Sequence, residues 1–228
     1  MPTKRPRIEG YAIVSREGMI AKSDGSFPEE LKIPADQQFY QASLERASAV
    51  ANGRHSAEGG PKEKARKRIL LTRRVQRVVT DPDNPNVVLW NPGTASFDEA
   101  WQRLGIDDGI LAVVGGTDVF ALFLTIGYDA FFLSRALASI PRGRPVFPGV
   151  GNGVAAEEPL KKHGLVLQRH AHARSGERDR GAGMGAESLM SDHAAKQPDH
   201  RARSGAAGCG ASGPTSTRRT ITTSGSSR

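Results

Sequence analysis

Two groups of polar residues within the stretch Ile33 to Gly60 could bind a substrate and an anion. Asp36 follows Pro34, a residue that often opens a helix because one N–H there has no intrahelical partner anyway. The turn Gly53-Arg54-His55-Ser56 supplies a cation and two hydrogen-bond donors at the end of a short apolar run. A carboxylate and a phosphate-binding turn one structural unit apart favour an enzyme that uses a phosphorylated cofactor.

A second glycine turn, Gly115-Gly116, separates the aliphatic run Ile110–Val114 from the apolar stretch Thr117–Ile126. Glycines at such a junction let a phosphate approach the start of a helix, where free N–H groups and the helix dipole favour anions. A tight strand–helix turn that binds nothing is an equally good interpretation of this pair alone. The presence of two such turns favours the phosphate interpretation.

A third candidate is Thr72-Arg73-Arg74, which follows another short apolar run. An arginine pair beside a hydroxyl could clamp a 2′-phosphate, because guanidinium groups bind phosphate oxygens in a bidentate manner. The pair could also be an ordinary exposed basic pair. Asp36 has a similar alternative, since an acid in the first turn of a helix stabilises the dipole without any other role.

Short apolar strands alternate with amphipathic or buried helices along the first two thirds of the chain. The predicted strands are Gly10–Ser15, Ala47–Ala51, Ile69–Thr72, Val87–Trp90, Ile110–Val114 and Asp129–Leu133. The predicted helices begin at Pro34 or span Phe97–Leu104 and Thr117–Ile126, and the predicted loops are Arg16–Lys32 and Thr80–Asn86. This alternation predicts an α/β fold with a doubly wound, mostly parallel sheet flanked by helices. Ligands bind beyond the carboxyl ends of such strands, so we expect the polar turns to meet at one edge.

The chain of 228 residues is long enough for one medium domain and some excess. From Val166 to Arg228 the sequence carries ten Lys and Arg against five Asp and Glu, which is +5 of the total charge of +8. Gly, Ser, Ala, Arg and Thr dominate there, and such a composition cannot bury enough apolar area to offset the entropy of ordering. We predict a domain over residues 1–165 and a disordered basic tail over residues 166–228, with no strand after Leu167.

Several classes of protein are disfavoured. The single Cys209 excludes an intrachain disulfide framework and a cysteine zinc site, and His170 and His172 lack carboxylate neighbours for a metal site. The basic tail contains no aromatic residue on which bases could stack, so nucleic-acid binding is not favoured. No apolar run suits a signal peptide or a membrane span, and we expect a cytoplasmic protein that binds small molecules.

From about Tyr11 to Phe147 the sequence resembles the dihydrofolate reductase family, including the related reductase domains of bacterial riboflavin synthesis. The residues that carry the resemblance are, in chain order, Pro34-Ala35-Asp36 with Phe39-Tyr40, Gly53-Arg54-His55-Ser56 with Glu58, Arg66 before the strand Ile69–Thr72, and Val114-Gly115-Gly116 with Val119-Phe120. The resemblance implies the fold of that family and NADPH-dependent reduction of a pteridine, with 7,8-dihydrofolate converted to tetrahydrofolate for one-carbon metabolism. It also implies that the loop Arg16–Lys32 closes over the nicotinamide.

Matched residue by residue, the resemblance implies that Asp36 holds the amino-pyrimidine edge of the substrate and that the Ser134 hydroxyl supports that carboxylate. It implies that Phe39 and Tyr40 contact the substrate and that Arg66 pairs with the glutamate tail of folate. The implied NADPH contacts are Ala12 and Ile20 at the nicotinamide, Gly53, Arg54, His55, Ser56, Gly115, Gly116, Thr117 and Val119 at the phosphates, and Thr72 and Arg73 at the adenosine 2′-phosphate.

The sequence departs from the family pattern at a few positions. Asp118 stands where a basic residue often helps to hold phosphate, Phe120 replaces a common tyrosine, and Asn52 is polar where the strand end is usually apolar. The family also closes its sheet with a C-terminal antiparallel strand pair, for which we expect no counterpart. Two alternatives stay open: a reductase of a ribosylaminopyrimidine in riboflavin synthesis, and a catalytically impaired binding protein with a basic tail.

Overall fold

A computed structural model describes residues 4–56, 62–169 and 185–191 of the chain. These residues fall within one compact unit, Met1–Lys196. Glu58, His170, His172 and Cys209, together with most of the predicted tail, lie outside the described residues.

The described residues contain eleven strands, four α-helices and two short 3-10 helices. The strands are β1 (Arg7–Val14), β2 (Met19–Ala21), β3 (Ala49–Gly53), β4 (Arg68–Leu71), β5 (Val78–Asp81), β6 (Asn84–Trp90), β7 (Ile110–Gly115), β8 (Ala130–Arg135), β9 (Arg144–Pro145), β10 (Leu165–Arg169) and β11 (Gly185–Ser191). The helices are α1 (Pro34–Arg46), α2 (Phe97–Arg103), α3 (Thr117–Ile126) and α4 (Glu158–Lys162), and the 3-10 helices are Glu29–Leu31 and Glu63–Ala65.

Nine strands form one mixed sheet in the order β10-β11-β8-β1-β7-β3-β4-β6-β5. The six central strands, from β8 to β6 in this order, are parallel, and β11 and β5 run antiparallel to β8 and β6. The small strands β2 and β9 pair separately. The predicted α/β fold, a mostly parallel sheet flanked by helices, is therefore confirmed.

The C-terminal part of the sheet corrects one prediction. We expected no strand after Leu167, and this was wrong, because β11 pairs antiparallel with both β8 and β10. Ala186 of β11 lies opposite Ser134 of β8. The segment Gly185–Ser191 shows little alternation of apolar and polar residues, so only its pairing with β8 reveals it as a strand.

The predicted loops at 16–32 and 80–86 are also partly wrong. The first contains β2, and the second contains the turn of an antiparallel hairpin, in which Asp81 of β5 lies opposite Asn84 of β6. Turn-forming residues concentrate at the tight turn, and they concealed the strand ends on either side of it.

The two faces of the sheet carry separate clusters of buried side chains. Alternate residues along each strand point to opposite faces. One cluster contains Tyr11, Leu44, Val50 and Ala112, and we call its side the α1 face because Leu44 belongs to α1. The larger cluster includes Val119, Phe120 and Phe123 of α3, and we call its side the α3 face. The carboxyl ends of the parallel strands form one edge of the sheet, which both faces border, and the candidate site lies at this edge.

Candidate functional site

Four adjacent strands end with side chains on the α1 face. Side chains two residues apart on a strand point to the same face, so the face of Tyr11 and Val50 also carries the residues that follow them near the strand ends. These residues are Ser134 of β8, Ile13 of β1, Val114 of β7 and Asn52 of β3. Ile13 and Ser134 are direct partners in the β1–β8 register. Since neighbouring strands lie about 4.8 Å apart, the ends of this row, Ser134 and Asn52, are separated by about 14 Å across the strands, and the β3–β7 register shifts between Ala51 and Asn52.

The first half of α1 lies over the Ser134 end of this row. The Phe39 ring is 5.4 Å from the Phe132 ring of β8 and 6.1 Å from the Tyr11 ring of β1, measured between centroids. Asp36 is half-buried one helical turn before Phe39, and half-buried Tyr40 packs against the same cluster. Phe39 and Tyr40 therefore pack on the face that carries Ser134, and Asp36 lies one helical turn before Phe39 on α1.

Arg66, which follows the 3-10 helix Glu63–Ala65, contacts the other end of α1. Its Nη1 donates a hydrogen bond to the Leu44 carbonyl oxygen at 2.5 Å, near the C-terminal end of the helix. Eight residues separate Leu44 from Asp36, which is about 12 Å along a helix axis. A substrate that touched both Asp36 and Arg66 would therefore have to be long.

The two glycine turns contact each other on the α3 face. The Gly116 N–H donates to Ser56 Oγ at 3.1 Å, and the Ser56 N–H donates to the Gly53 carbonyl oxygen at 2.9 Å. A Cβ added at Gly53 would lie 3.3 Å from Val119 Cγ2, and one added at Gly116 would lie 3.2 Å from Ser56 Oγ. A side chain at either position would therefore crowd these two neighbouring side chains.

Gly115 and the start of α3 complete this turn. Gly115 has a φ of 122°, which favours glycine, and the Gly115-Gly116 peptide bond is cis. Gly116 is the N-cap of α3, so the backbone N–H groups of the first turn, from Thr117 onward, have no partner inside the helix. The Thr117 hydroxyl donates to the Pro145 carbonyl oxygen of β9 at 2.5 Å, which ties the start of α3 to the small sheet.

Exposed cations follow β3 and β4, which are neighbours in the sheet. Arg54 Nη2 lies 2.9 Å from His55 Nε2, and both side chains are exposed. Arg73 and Arg74 are exposed after β4, where the Arg74 N–H donates to Thr72 Oγ1 at 3.2 Å. Within the described parts of the chain, no carboxylate forms an ion pair with Arg54, Arg73 or Arg74. These groups form an electropositive corner beside the glycine turns.

Asn52 is a site residue whose role the sequence did not indicate. Its side chain is buried, with a relative exposure of 2%. Nδ2 donates to the Gly53 carbonyl oxygen at 3.1 Å and to the Ser56 carbonyl oxygen, so the amide braces the glycine turn. Oδ1 is buried without a hydrogen-bond partner, which typically costs about 1–3 kcal/mol. The available signal was a polar residue at the end of an otherwise apolar strand.

The base of the loop at residues 16–32 is held by Glu17. Its carboxylate accepts hydrogen bonds from the Ser139 hydroxyl at 2.6 Å and from the Ser15 hydroxyl at 2.7 Å. The Ser139 hydrogen bond, with others from Ile140 N–H and Ser15, lowers the pKa of Glu17 to about 2. Ala12 and Ile20 are half-buried nearby and pack against the cluster of the α3 face.

No family model matches the sequence, and no curated protein matches it significantly. Solved structures do match the fold. A dihydrofolate reductase from Enterococcus faecalis complexed with NADP(H) and RAB-propyl aligns with a TM-score of 0.52 at 17% identity, over 81% of this chain and 96% of that one. At this identity the similarity concerns the fold alone, which is dihydrofolate-reductase-like.

A second match is a diaminohydroxyphosphoribosylaminopyrimidine deaminase/5-amino-6-(5-phosphoribosylamino)uracil reductase from Thermotoga maritima. It aligns with a TM-score of 0.50 at 17% identity, over 82% of this chain and 57% of that one. The present chain therefore corresponds to little more than half of that larger protein. None of the helices that the structure describes has the length and hydrophobicity needed to cross a membrane.

Proposed function

We propose that this chain, which has a dihydrofolate-reductase-like fold, is an NADPH-dependent oxidoreductase that transfers hydride to a pteridine, with 7,8-dihydrofolate as the leading candidate. One observation carries the proposal. Phe39, one helical turn after Asp36, packs on the α1 face against β8, the strand of Ser134, and two contacting glycine turns lie on the α3 face at the ends of β3 and β7. This arrangement supports a carboxylate site and an anion site at one edge of the sheet.

The residues of the α3 face fit a phosphorylated dinucleotide. The turns at Gly53 and Gly116 are tightly packed, and the first turn of α3 presents N–H groups without intrahelical partners that suit a pyrophosphate. Arg54 would add a positive charge there. Thr72 and Arg73 would hold a 2′-phosphate at the end of β4, which distinguishes NADPH from NADH. When bound, NADPH supplies the hydride.

On the α1 face, the residues would orient the substrate and favour its protonation. The Asp36 carboxylate would accept hydrogen bonds from the amino group and ring N–H of the pyrimidine edge. Reduction of the C=N bond needs one hydride on carbon and one proton on nitrogen, and the negative charge of Asp36 favours that protonation. Ser134 would orient the carboxylate, Phe39 and Tyr40 would contact the ring, and Arg66 would contact an acidic tail if the substrate reaches it.

The names of the two matched structures suggest two candidate substrates. One is named a dihydrofolate reductase, and the other a reductase of a phosphoribosylaminouracil. Both substrates carry a hydrogen-bond donor on the substituent of the ring, so the buried acceptor of Asn52 is compatible with either. We therefore retain a ribosylaminopyrimidine as the alternative substrate.

The test is an assay of NADPH oxidation in the presence of dihydrofolate or of the ribosylaminopyrimidine. The loss of NADPH absorbance measures the rate. We expect Asp36→Asn to lower kcat/KM by about a hundredfold or more, because a positioned acid or base typically contributes 10²–10⁴. NADPH affinity should be unchanged in this variant, since Asp36 lies on the other face of the sheet.

Asp98→Asn is the control, because Asp98 is also an acid in the first turn of a helix but lies on α2. If Asp36 acted only on the helix dipole, the two variants would behave alike. An increase in Tm with methotrexate would support the folate site independently, by mass action on the folded state. Folded protein that binds NADPH but oxidises it with neither substrate would refute the proposal.

A further inference from the structure

The buried oxygen of Asn52 has no function within the described chain. The amide nitrogen is explained, because it donates to the carbonyl oxygens of Gly53 and Ser56. The oxygen is not, because Oδ1 is buried and accepts no hydrogen bond. Buried polar atoms in native proteins are nearly always paired, so an exception at the edge of a candidate site indicates a partner that binds from outside.

The neighbours of Asn52 on the α1 face are apolar. Val114 packs on the same face, and Leu70 of β4 is the direct partner of Asn52 in the β3–β4 register, whereas its partner on β7 is Gly115, which has no side chain. Neither side chain can donate a hydrogen bond. A donor that reached Oδ1 would therefore have to come from a ligand or from water.

Asn52 and Asp36 lie at opposite ends of the row. Contacts of Phe39 with Tyr11 and Phe132 place the first half of α1 over β1 and β8, whereas Asn52 is on β3. The row spans about 14 Å, which is longer than a fused two-ring heterocycle. A ring held by Asp36 would therefore leave its substituent, rather than the ring itself, near Asn52.

We propose that Asn52 is a specificity-determining residue that accepts a hydrogen bond from a hydroxyl or N–H donor on the substituent of the substrate. This inference rests on the proposed function, since it assumes that Asp36 holds the ring. It narrows the substrate class to heterocycles with a donor-bearing side chain. A polyhydroxylated side chain and an aminobenzoyl N–H both meet this requirement.

The test measures binding without NADPH, so it does not depend on turnover. Two pairs of ligands differ in the donors of the side chain: neopterin against 6-methylpterin, and 5-amino-6-ribitylaminouracil against 5,6-diaminouracil. In at least one pair, we expect the wild-type protein to bind the hydroxylated member about tenfold more tightly, as one well-made hydrogen bond allows. Asn52→Leu should remove this preference by weakening only the hydroxylated member.

Two further variants separate ligand recognition from bracing of the turn. Asn52→Asp keeps an oxygen acceptor in place and should retain the preference, even if loss of the amide nitrogen lowers Tm. Asn91→Leu is the matched control, because Asn91 lies directly after the end of β6 and, like Asn52, donates to a backbone carbonyl, that of Val75, at 2.8 Å. It should lower Tm without changing the preference.

The inference is overturned if the wild-type protein shows no preference in either pair, or if Asn52→Leu keeps the preference. Equal weakening of both members, accompanied by weaker NADPH binding, would also overturn it and would assign Asn52 to the turn alone. These outcomes differ from a failure of the proposed function, in which the protein oxidises NADPH with neither substrate.

Discussion

The hydrogen bond between the two glycine turns allows a sharp test of the cofactor site. Ser56→Ala removes the Oγ that accepts the Gly116 N–H at 3.1 Å and leaves that N–H without this partner. The bond is part-buried, so its loss should lower the free energy of unfolding by about 1 kcal/mol. The same loss releases the N-cap of α3, whose N–H groups we expect to bind the pyrophosphate.

The expected effect on binding follows from this figure. About 1 kcal/mol corresponds to roughly a fivefold increase in the Kd for NADPH, and direct contact between the Ser56 hydroxyl and the cofactor would make it larger. Isothermal titration calorimetry measures the Kd, and urea unfolding measures the stability of the same preparation.

Ser96→Ala provides the matched control. Ser96 accepts the Glu99 N–H at 3.2 Å as the N-cap of α2, and loss of such a cap costs about 0.5–2 kcal/mol. This variant should be destabilised by a similar amount while its Kd for NADPH stays unchanged. Unchanged NADPH affinity in Ser56→Ala, or an equal increase in Kd in both variants, would refute the assignment of the glycine turns.

Two further predictions concern stability. Hydrogen bonds, first that from Ser139, hold the folded-state pKa of Glu17 at about 2, below its ordinary value of 4.5, so its contribution is complete above about pH 4.5 and is lost as the pH falls towards 2. Glu17→Gln should therefore flatten the fall in stability over this range in acid titrations followed by circular dichroism, and an unchanged slope would contradict this role. Tyr11 donates at 2.5 Å to the buried carboxylate of Glu9, so Tyr11→Phe should lower the free energy of unfolding by about 1–3 kcal/mol. Tyr128→Phe loses only a 3.3 Å hydrogen bond to a carbonyl and should cost less in the same urea titration, and the reverse order would show that the Glu9 contact contributes little.

Capping residues and hydrophobic periodicity in the sequence predicted the elements whose ends depend on neighbouring residues in the chain. The helix at Thr117–Ile126 was predicted with its observed bounds, and the capping box of Ser96 and Glu99 forms as its spacing predicts. Both depend on interactions within one or two turns, which the sequence displays directly. The strand β11 was missed because its partner, β8, lies far away in the chain and supplies the backbone hydrogen bonds that define it.

The sequence by itself determined the α/β class, the order of the six central parallel strands and three of the helices along the chain, and the chemical types at the strand ends. Periodicity and turn residues are local properties, and they were enough to predict that the two glycine turns would meet at one edge of the sheet. Only the tertiary structure decided which face each group occupies, because that depends on strand order and register. It alone separated Arg66 from Asp36 along α1, joined Gly116 to Ser56, and left the Asn52 oxygen buried between apolar neighbours. Unmet hydrogen bonds arise from packing between distant segments, and no local pattern in the sequence records them.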